Sequence, residues 1–266
     1  MRPEPIPAPH LKRRVVRGYD FGRAASLINP RMLYNKHLGL KKPVEALLEE
    51  KDPRTLKLVS QVERALEMAR EYAALDCVYS FFQAEPRGDS VLFYGSDAAA
   101  PASAFDFPRQ SSGEKLCLAD FVRQPSGGKR DGAALFACTA GARIIEQAGV
   151  LRDRGDYVFS HLLNIMSICL AEALAEALHA DIRREWGLPD GGGGTPQDLL
   201  RQRYTGKRFS FGYPACPGLE NQAALFRLLR PEEIGVSLTE SFMMSPEDSV
   251  SAIVLSFPEA RYFEII

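Results

Sequence analysis

The sequence predicts an α+β fold, a twisted antiparallel sheet flanked by helices with one long helix at its centre. Three observations carry that prediction. Strand-like runs return on themselves through turn residues, as in Cys77–Gln83, the turn Glu85-Pro-Arg-Gly-Asp89 and Val91–Tyr94. Helical periodicity sits at the flanks of those runs and does not alternate with them as βαβ units require. One stretch, Asp156–Trp186, is periodic throughout: Leu170, Leu174, Leu178 and Ile182 recur every four residues, and Met166 extends the stripe. Roughly thirty residues at about 1.5 Å each make a rod of roughly 45 Å, enough to cross a domain.

The elements follow in order. Met1–Val16 carries four prolines and the cluster Lys12-Arg13-Arg14, with no apolar stretch behind it, so it is not read as a secretory signal. Residues 1–25 read as a partly extended tail with a short strand at Val15-Val16-Arg17, and residues 26–266 as one folded domain. Ser26–Leu40 reads as helix or tight turns around Asn29-Pro30, and Pro43–Leu48 starts another helix. Asp52-Pro53 caps a longer one, in which Leu56, Val59, Val62, Leu66 and Ala69 keep helical spacing. Ser103–Arg109 and Leu116–Val122 have strand character, Pro125-Ser-Gly-Gly128 breaks the pattern, and Ala133–Thr139 is a compact apolar strand. A helix runs from Gly141 to near Gly149. Gly187 stops the long helix, and Gly191–Gly194 is a flexible loop, since no Lys-Ser/Thr follows to make a phosphate cradle. Pro196–Arg203 and Glu220–Leu229 read as helices. Val236–Met243, Val250–Phe257 and Arg261–Ile266 are the last strand candidates, the first two joined by the turn Ser245-Pro-Glu-Asp248.

Composition removes several function classes. The 266 residues carry 33 basic and 34 acidic side chains, a net charge of −1, which excludes broad attraction to nucleic acid or an anionic membrane as the main activity. No run of about 18 apolar residues suggests a bilayer span, and the expected location is the cytosol. Five scattered cysteines without a CxxC pair argue against a disulfide framework or structural zinc, and the four histidines lack ligand spacing. GxGxxG, GxxxxGK[ST] and GxSxG are absent, so dinucleotide, phosphate-loop and serine-hydrolase chemistry have no foothold.

One segment is unlike the rest. In Arg208-Phe-Ser-Phe-Gly-Tyr-Pro-Ala-Cys-Pro217, two prolines bracket Ala-Cys, Gly212 frees the backbone, and an arginine and a tyrosine sit five apart. Proline restricts itself and its predecessor to extended geometry, so this is a stiff, non-helical strap. Its main-chain polar groups must pair with something, and either a neighbouring loop or a ligand satisfies them.

The run Tyr204-Thr-Gly-Lys-Arg-Phe-Ser-Phe-Gly-Tyr-Pro-Ala-Cys-Pro217, with Leu238-Thr-Glu-Ser-Phe242, Ser249-Val-Ser251 and Ser256-Phe-Pro-Glu-Ala-Arg-Tyr262, resembles the S-adenosylmethionine-binding activation domain of cobalamin-dependent methionine synthase. Phe107-Pro-Arg-Gln110 with Leu116-Cys-Leu-Ala-Asp-Phe-Val122 is similar to that domain's second block. Leu170-Ala-Glu-Ala-Leu-Ala-Glu-Ala-Leu-His179 with Trp186-Gly187 is similar to its long helix. The resemblance implies a shallow groove for S-adenosylmethionine. On matching positions it gives Arg208 the ligand carboxylate, a task suited to the planar guanidinium fork. It has Ser210, Phe211 and Gly212 offer backbone groups and Tyr213 close over the ligand. Glu172 faces the ligand's positive end, and Tyr262 with Phe263 forms the far wall, where aromatic faces favour a sulfonium. Asn29 stands where the family usually carries an aspartate, and Gln202 where a glutamate is common, so two charges become amides.

By the same resemblance, the partners are cobalamin-binding methionine synthase modules and a flavodoxin-like electron donor; the chain lacks the Asp-x-His-x-x-Gly cobalamin motif. No catalytic residue is expected, because the chain's contribution is proximity. The rival functions are a self-sufficient methyltransferase and a sensor of S-adenosylmethionine. Other residues have plainer readings. Glu172 and Glu176, one turn apart, read on periodicity alone as a solvated helix face. His179 reads as a packing or helix-end histidine, and Cys216 has no neighbour in sequence to activate it.

Overall fold

The structure is a computed structural model that describes residues 4–96, 99–188, 198–199, 202 and 204–265. Its strands are β1 (Arg14–Val16), β2 (Asp76–Arg87), β3 (Ser90–Tyr94), β4 (Ser103–Asp106), β5 (Asp131–Thr139), β6 (Lys207–Ser210), β7 (Ser237–Leu238), β8 (Met244–Ser245) and β9 (Ser249–Leu255). The helices are α1 (Phe21–Ala25), α2 (Val44–Glu49), α3 (Pro53–Tyr72), α4 (Ala142–Asp153), α5 (Tyr157–Trp186) and α6 (Asn221–Leu229). The main sheet runs β4-β3-β2-β5-β9-β6 and is antiparallel throughout. Strand β2 is long enough to hold β1 against Cys77–Tyr79 and β3 against Gln83–Arg87 on one edge, while β5 takes the other.

Both faces of the sheet are covered. Tyr79, Phe81, Phe136, Cys138, Ala252 and Val254 pack beneath α3, α4 and α5. The alternate residues Val78, Phe82, Leu135, Ile253 and Leu255 pack with Phe209 against α6 and the turn Leu118–Phe121. Strands β5 and β9 are consequently buried along their whole length, with apolar centres at Ala133–Cys138 and Ala252–Leu255. Helix α5 is capped by Asp156, which accepts from the Phe159 N–H, and ends on Gly187 in the left-handed conformation at φ 72°. Its most apolar window reaches a mean hydropathy of 1.6, enough for a bilayer, but that window is mostly buried between the sheet and the helices α1, α3 and α4.

Several elements differ from expectation for identifiable reasons. Leu116–Val122 is not a strand: the Asp120 carboxylate accepts from the Cys117 N–H at 2.9 Å and folds Leu118–Phe121 into a 3₁₀ turn. Val236–Met243 gives only the two residues of β7, because Phe242 turns the chain at φ 61°; β7 then pairs with β8, and β9 lies between β5 and β6. Arg261–Ile265 joins no strand. Helix α4 continues past Gly149, and Ser26–Leu40 resolves into a π-helical stretch, Arg31–His37. The expected loop Gly191–Gly194 lies outside the described residues, as does most of the expected helix Pro196–Arg203.

The N-terminal segment is fastened to the core. The Ile6 N–H donates to Asp131 Oδ1, Ile6 accepts from the Gly132 N–H, and Pro7 accepts from Trp186 Nε1, each at 2.9 Å. Gly132 is required for this approach: a Cβ there would lie 2.4 Å from the Trp186 ring and 2.8 Å from the Ala8 nitrogen. Asp131 is buried and also pairs with the buried Arg123 at 3.0 Å. The basic cluster docks on the same molecule, Arg13 with Glu233 and Arg14 with Glu185.

Candidate functional site

Residues one turn apart on a helix face the same way, so Glu172 and Glu176 of α5 both meet strand β6. Antiparallel pairing of β6 with β9 turns Phe209 into the core and leaves Arg208 and Ser210 on the opposite side. Arg208 Nη2 lies 3.3 Å from Glu172 Oε2 and 3.5 Å from Glu176 Oε2. The Tyr213 hydroxyl donates to Glu172 Oε1 at 2.9 Å, and the Tyr204 hydroxyl to Glu176 Oε1 at 3.3 Å. Arg208 Nη1 is buried and has no hydrogen-bond partner among the described residues.

The electrostatics follow from this packing. Burial opposes the charge on Arg208, but Glu172 and Glu176 outweigh it and hold the guanidinium protonated, its pKa above the ordinary arginine value. Burial, with Glu172 beside it, pushes the Tyr213 phenol up to about 12, so it remains a donor. Burial likewise raises Tyr262 and Tyr204.

The strap positions these groups through its turn. Gly212 takes φ 84°, its N–H donates to the Cys216 carbonyl at 2.8 Å, and the Cys216 N–H returns to the Tyr213 carbonyl at 2.8 Å. Tyr213 therefore stands at the tip, 54% exposed. Phe211 points the other way and stacks on Phe105 at 6.1 Å. Cys216 is buried, and burial pushes its thiol up to about 12, which leaves no thiolate nucleophile at neutral pH.

Two adjoining cavities form one groove over this network. The first, about 430 Å³, is lined by Ser210, Pro214, Tyr262 and Phe263. The second, about 350 Å³, is lined by Asn29, Met32, Lys36, His37, Ile168 and Glu176. Glu172, Gln202, Arg208 and Tyr213 line both. Asn29 also has a local task, its Oδ1 accepting from the N–H groups of Arg31 and Met32 at 3.0 and 3.3 Å. Tyr262 packs on Phe209 with ring centres 5.4 Å apart, and Phe263 meets Phe121 edge-on at 6.0 Å.

Of the residues singled out in the sequence, Asn29, Glu172, Gln202, Arg208, Ser210, Tyr213, Tyr262 and Phe263 all line the groove. Phe211 and Gly212 stand behind it, the side chain of one in the core and the N–H of the other committed to the turn. Glu176 and Tyr204 join the network without having been assigned to it. The four-residue spacing of the two glutamates was the available signal for the first; Tyr204 opened the run that carries the resemblance, without a role of its own. His179 is fully buried, edge-on to Tyr204 at 5.2 Å and outside the groove.

A guanidinium flanked by two carboxylates, beside aromatic walls, matches a ligand that carries both a carboxylate and positive charge. The chain is 34% identical to methionine synthase of Mycobacterium tuberculosis strain H37Rv across 98% of its own length and 23% of that protein. It is 35% identical to methionine synthase of Mycobacterium leprae across 73% of its length and 17% of that protein. The chain thus spans less than a quarter of these relatives. A crystal structure of the MetH reactivation domain bound to AdoHcy superimposes with a TM-score of 0.90 at 27% identity, over 99% of this chain and 84% of that one. Residues 32–266 match the family model described as vitamin B12 dependent methionine synthase, activation domain. With its fold, its strap and the groove that the strap encloses, the chain belongs to the activation-domain family of vitamin B12 dependent methionine synthase.

Proposed function

We propose that the chain binds S-adenosylmethionine in this groove and presents its methyl group for the reductive remethylation of cob(II)alamin held by a separate methionine synthase or related corrinoid protein. The observation that carries the reading is Arg208, a partly buried guanidinium whose buried Nη1 is unpartnered among the described residues, in a groove that also offers two carboxylates and an aromatic wall. A buried donor without a partner costs free energy, and a ligand carboxylate satisfies it. The residues fit the rest of the ligand too. Glu172 and Glu176 complement its ammonium and sulfonium charges, and Tyr262 with Phe263 offers stacking surface to its base. The groove's volume falls in the range of small-molecule sites.

When bound, S-adenosylmethionine supplies the methyl group, and the partner's reduced cobalt is the substrate that accepts it. Every task of this chain is positional. Arg208 fixes the amino-acid end, Tyr213 closes the strap over it, and the open side of the groove leaves the sulfonium accessible to a docking partner. No general base is needed, since methyl transfer to a reduced metal moves no proton. Electrons come from outside the chain, by the family resemblance from a flavodoxin-like donor.

Calorimetric titration with S-adenosylmethionine is the first test, and absence of binding overturns the proposal. Formation of methylcobalamin with a corrinoid protein and a reductant then supports it. Methyl transfer in the absence of cobalamin instead identifies a self-sufficient methyltransferase, and binding without either activity identifies a sensor.

A further inference from the structure

The block Phe107-Pro-Arg-Gln110 takes no part in the groove described above, yet it ends on a side chain that supports the groove's wall from behind. That wall is Arg261–Ile265, which joins no strand. It separates the groove from another cavity of about 370 Å³, lined by Gln110, Leu116, Arg261, Tyr262 and Phe263. Tyr262 and Phe263 therefore have space on two sides, and close packing alone does not fix them. Among the described residues, two hydrogen bonds hold the segment's backbone. The Ile265 N–H donates to the Pro214 carbonyl of the strap at 3.1 Å, and Gln110 Nε2 donates to the Glu264 carbonyl at 2.7 Å.

Gln110 is itself braced. Its Oε1 accepts from the Leu116 N–H at 3.0 Å, and its own N–H donates to the Leu116 carbonyl at 3.0 Å. Next to it, Arg109 ties the loop to Asp89, to Asp120 and to the Lys115 carbonyl. One end of the Gln110 amide is thus anchored to a rigid loop while the other grips a segment outside the sheet. An amide does both at once, whereas an ionised carboxylate of the same shape cannot donate and an ammonium cannot accept.

We propose that Gln110 is a positioning residue for the ligand, acting through the Glu264 carbonyl to set the Tyr262–Phe263 wall against the bound base. The inference rests on the reading that S-adenosylmethionine occupies the groove. Calorimetry on the full chain tests it with Gln110→Ala, Tyr262→Ala and the double variant. Gln110→Ala weakens S-adenosylmethionine binding about 3- to 10-fold, the effect of one hydrogen bond. Added to Tyr262→Ala it costs almost nothing more, because both act on the same wall.

Gln110→Glu, of the same shape, keeps the bond from Leu116 and carries the test should the alanine variant fail to fold. As a carboxylate it repels the Glu264 carbonyl; once protonated it donates again. Its affinity relative to the unsubstituted chain therefore recovers as the pH falls from about 6 towards 4, through the ordinary glutamate range, with the Glu114–Arg261 ion pair as the charged neighbour. The Gln110→Ala deficit does not move over that range. Undiminished affinity in a folded Gln110→Ala variant, or losses that simply add to those of Tyr262→Ala, overturns the role of Gln110 and leaves the groove's assignment standing. No binding by the unsubstituted chain removes both.

Discussion

Arg208 combines two demands that different substitutions separate. Its charge keeps Glu172 and Glu176 from facing one another uncompensated, and its planar fork is what a carboxylate ligand reads. Arg208→Lys preserves the charge and loses the fork. It is expected to fold with nearly unchanged thermal stability while binding S-adenosylmethionine roughly 10-fold or more weakly, by calorimetry. Arg208→Ala loses both, and its melting temperature falls along with its affinity. The stiffness of the strap was legible in the sequence from its two prolines and glycine, but those residues serve a plain loop as well, and it was the resemblance of the whole run that pointed to a ligand. The second glutamate was not legible. A helical carboxylate reads as a solvated face until the partner strand is known, and that strand lies 32 residues away.

At the scale of elements, α5 carries a titration that periodicity could not foretell. His179 is fully buried, and burial, reinforced by the positive charge of Arg183, holds its pKa well below the ordinary histidine value. Arg208 and Lys207 add to that effect. The folded state therefore refuses a proton that the unfolded chain accepts below about pH 6.5. Stability is fully present above that pH and declines as the pH falls beneath it, by about 1.4 kcal/mol per unit for this one group. Urea denaturation at stepped pH should show that slope, and His179→Gln should flatten it; equal slopes would remove His179 as the cause. The helix as such was the clearest element in the sequence, with a cap, a period and a glycine stop in register. Strands β5 and β9 were legible as the runs Ala133–Thr139 and Val250–Phe257, although burial on both faces removes the polar alternation that would mark them. Val236–Met243 misled in the other direction, alternating in sequence while Phe242 turns the backbone at φ 61°.

At the scale of the whole molecule, the segment before residue 32 lies outside the matched family region, yet it is joined to the sheet and to Trp186. Removing residues 1–12 takes away the partly buried Ile6 and Ala8, uncovers the Trp186 surface they cover, and abolishes the bonds of Ile6 and Pro7 to Asp131, Gly132 and Trp186 together with that of His10 to Glu185. We expect a loss of about 2–4 kcal/mol, or a melting temperature lower by roughly 5–15 °C in a thermal scan. The proline-rich composition identified this stretch as extended; that it packs depends on Gly132, whose significance appears only when Trp186 and Ala8 are seen beside it.

The arginine at the centre of the groove is never without company. Before the ligand arrives its Nη2 leans on two glutamates while Nη1 is unpartnered among the described residues, and a ligand that brings a carboxylate to Nη1 and an ammonium to the glutamates would exchange one set of paired charges for another. Such a swap creates little new net attraction, and a chain with a net charge of −1 draws nothing in from afar. Recognition at this site should therefore be nearly indifferent to ionic strength, with affinity changing by less than about threefold between 50 and 500 mM salt. What governs occupancy is then shape and partner exchange, and the same chain would serve equally well in dilute and in concentrated surroundings.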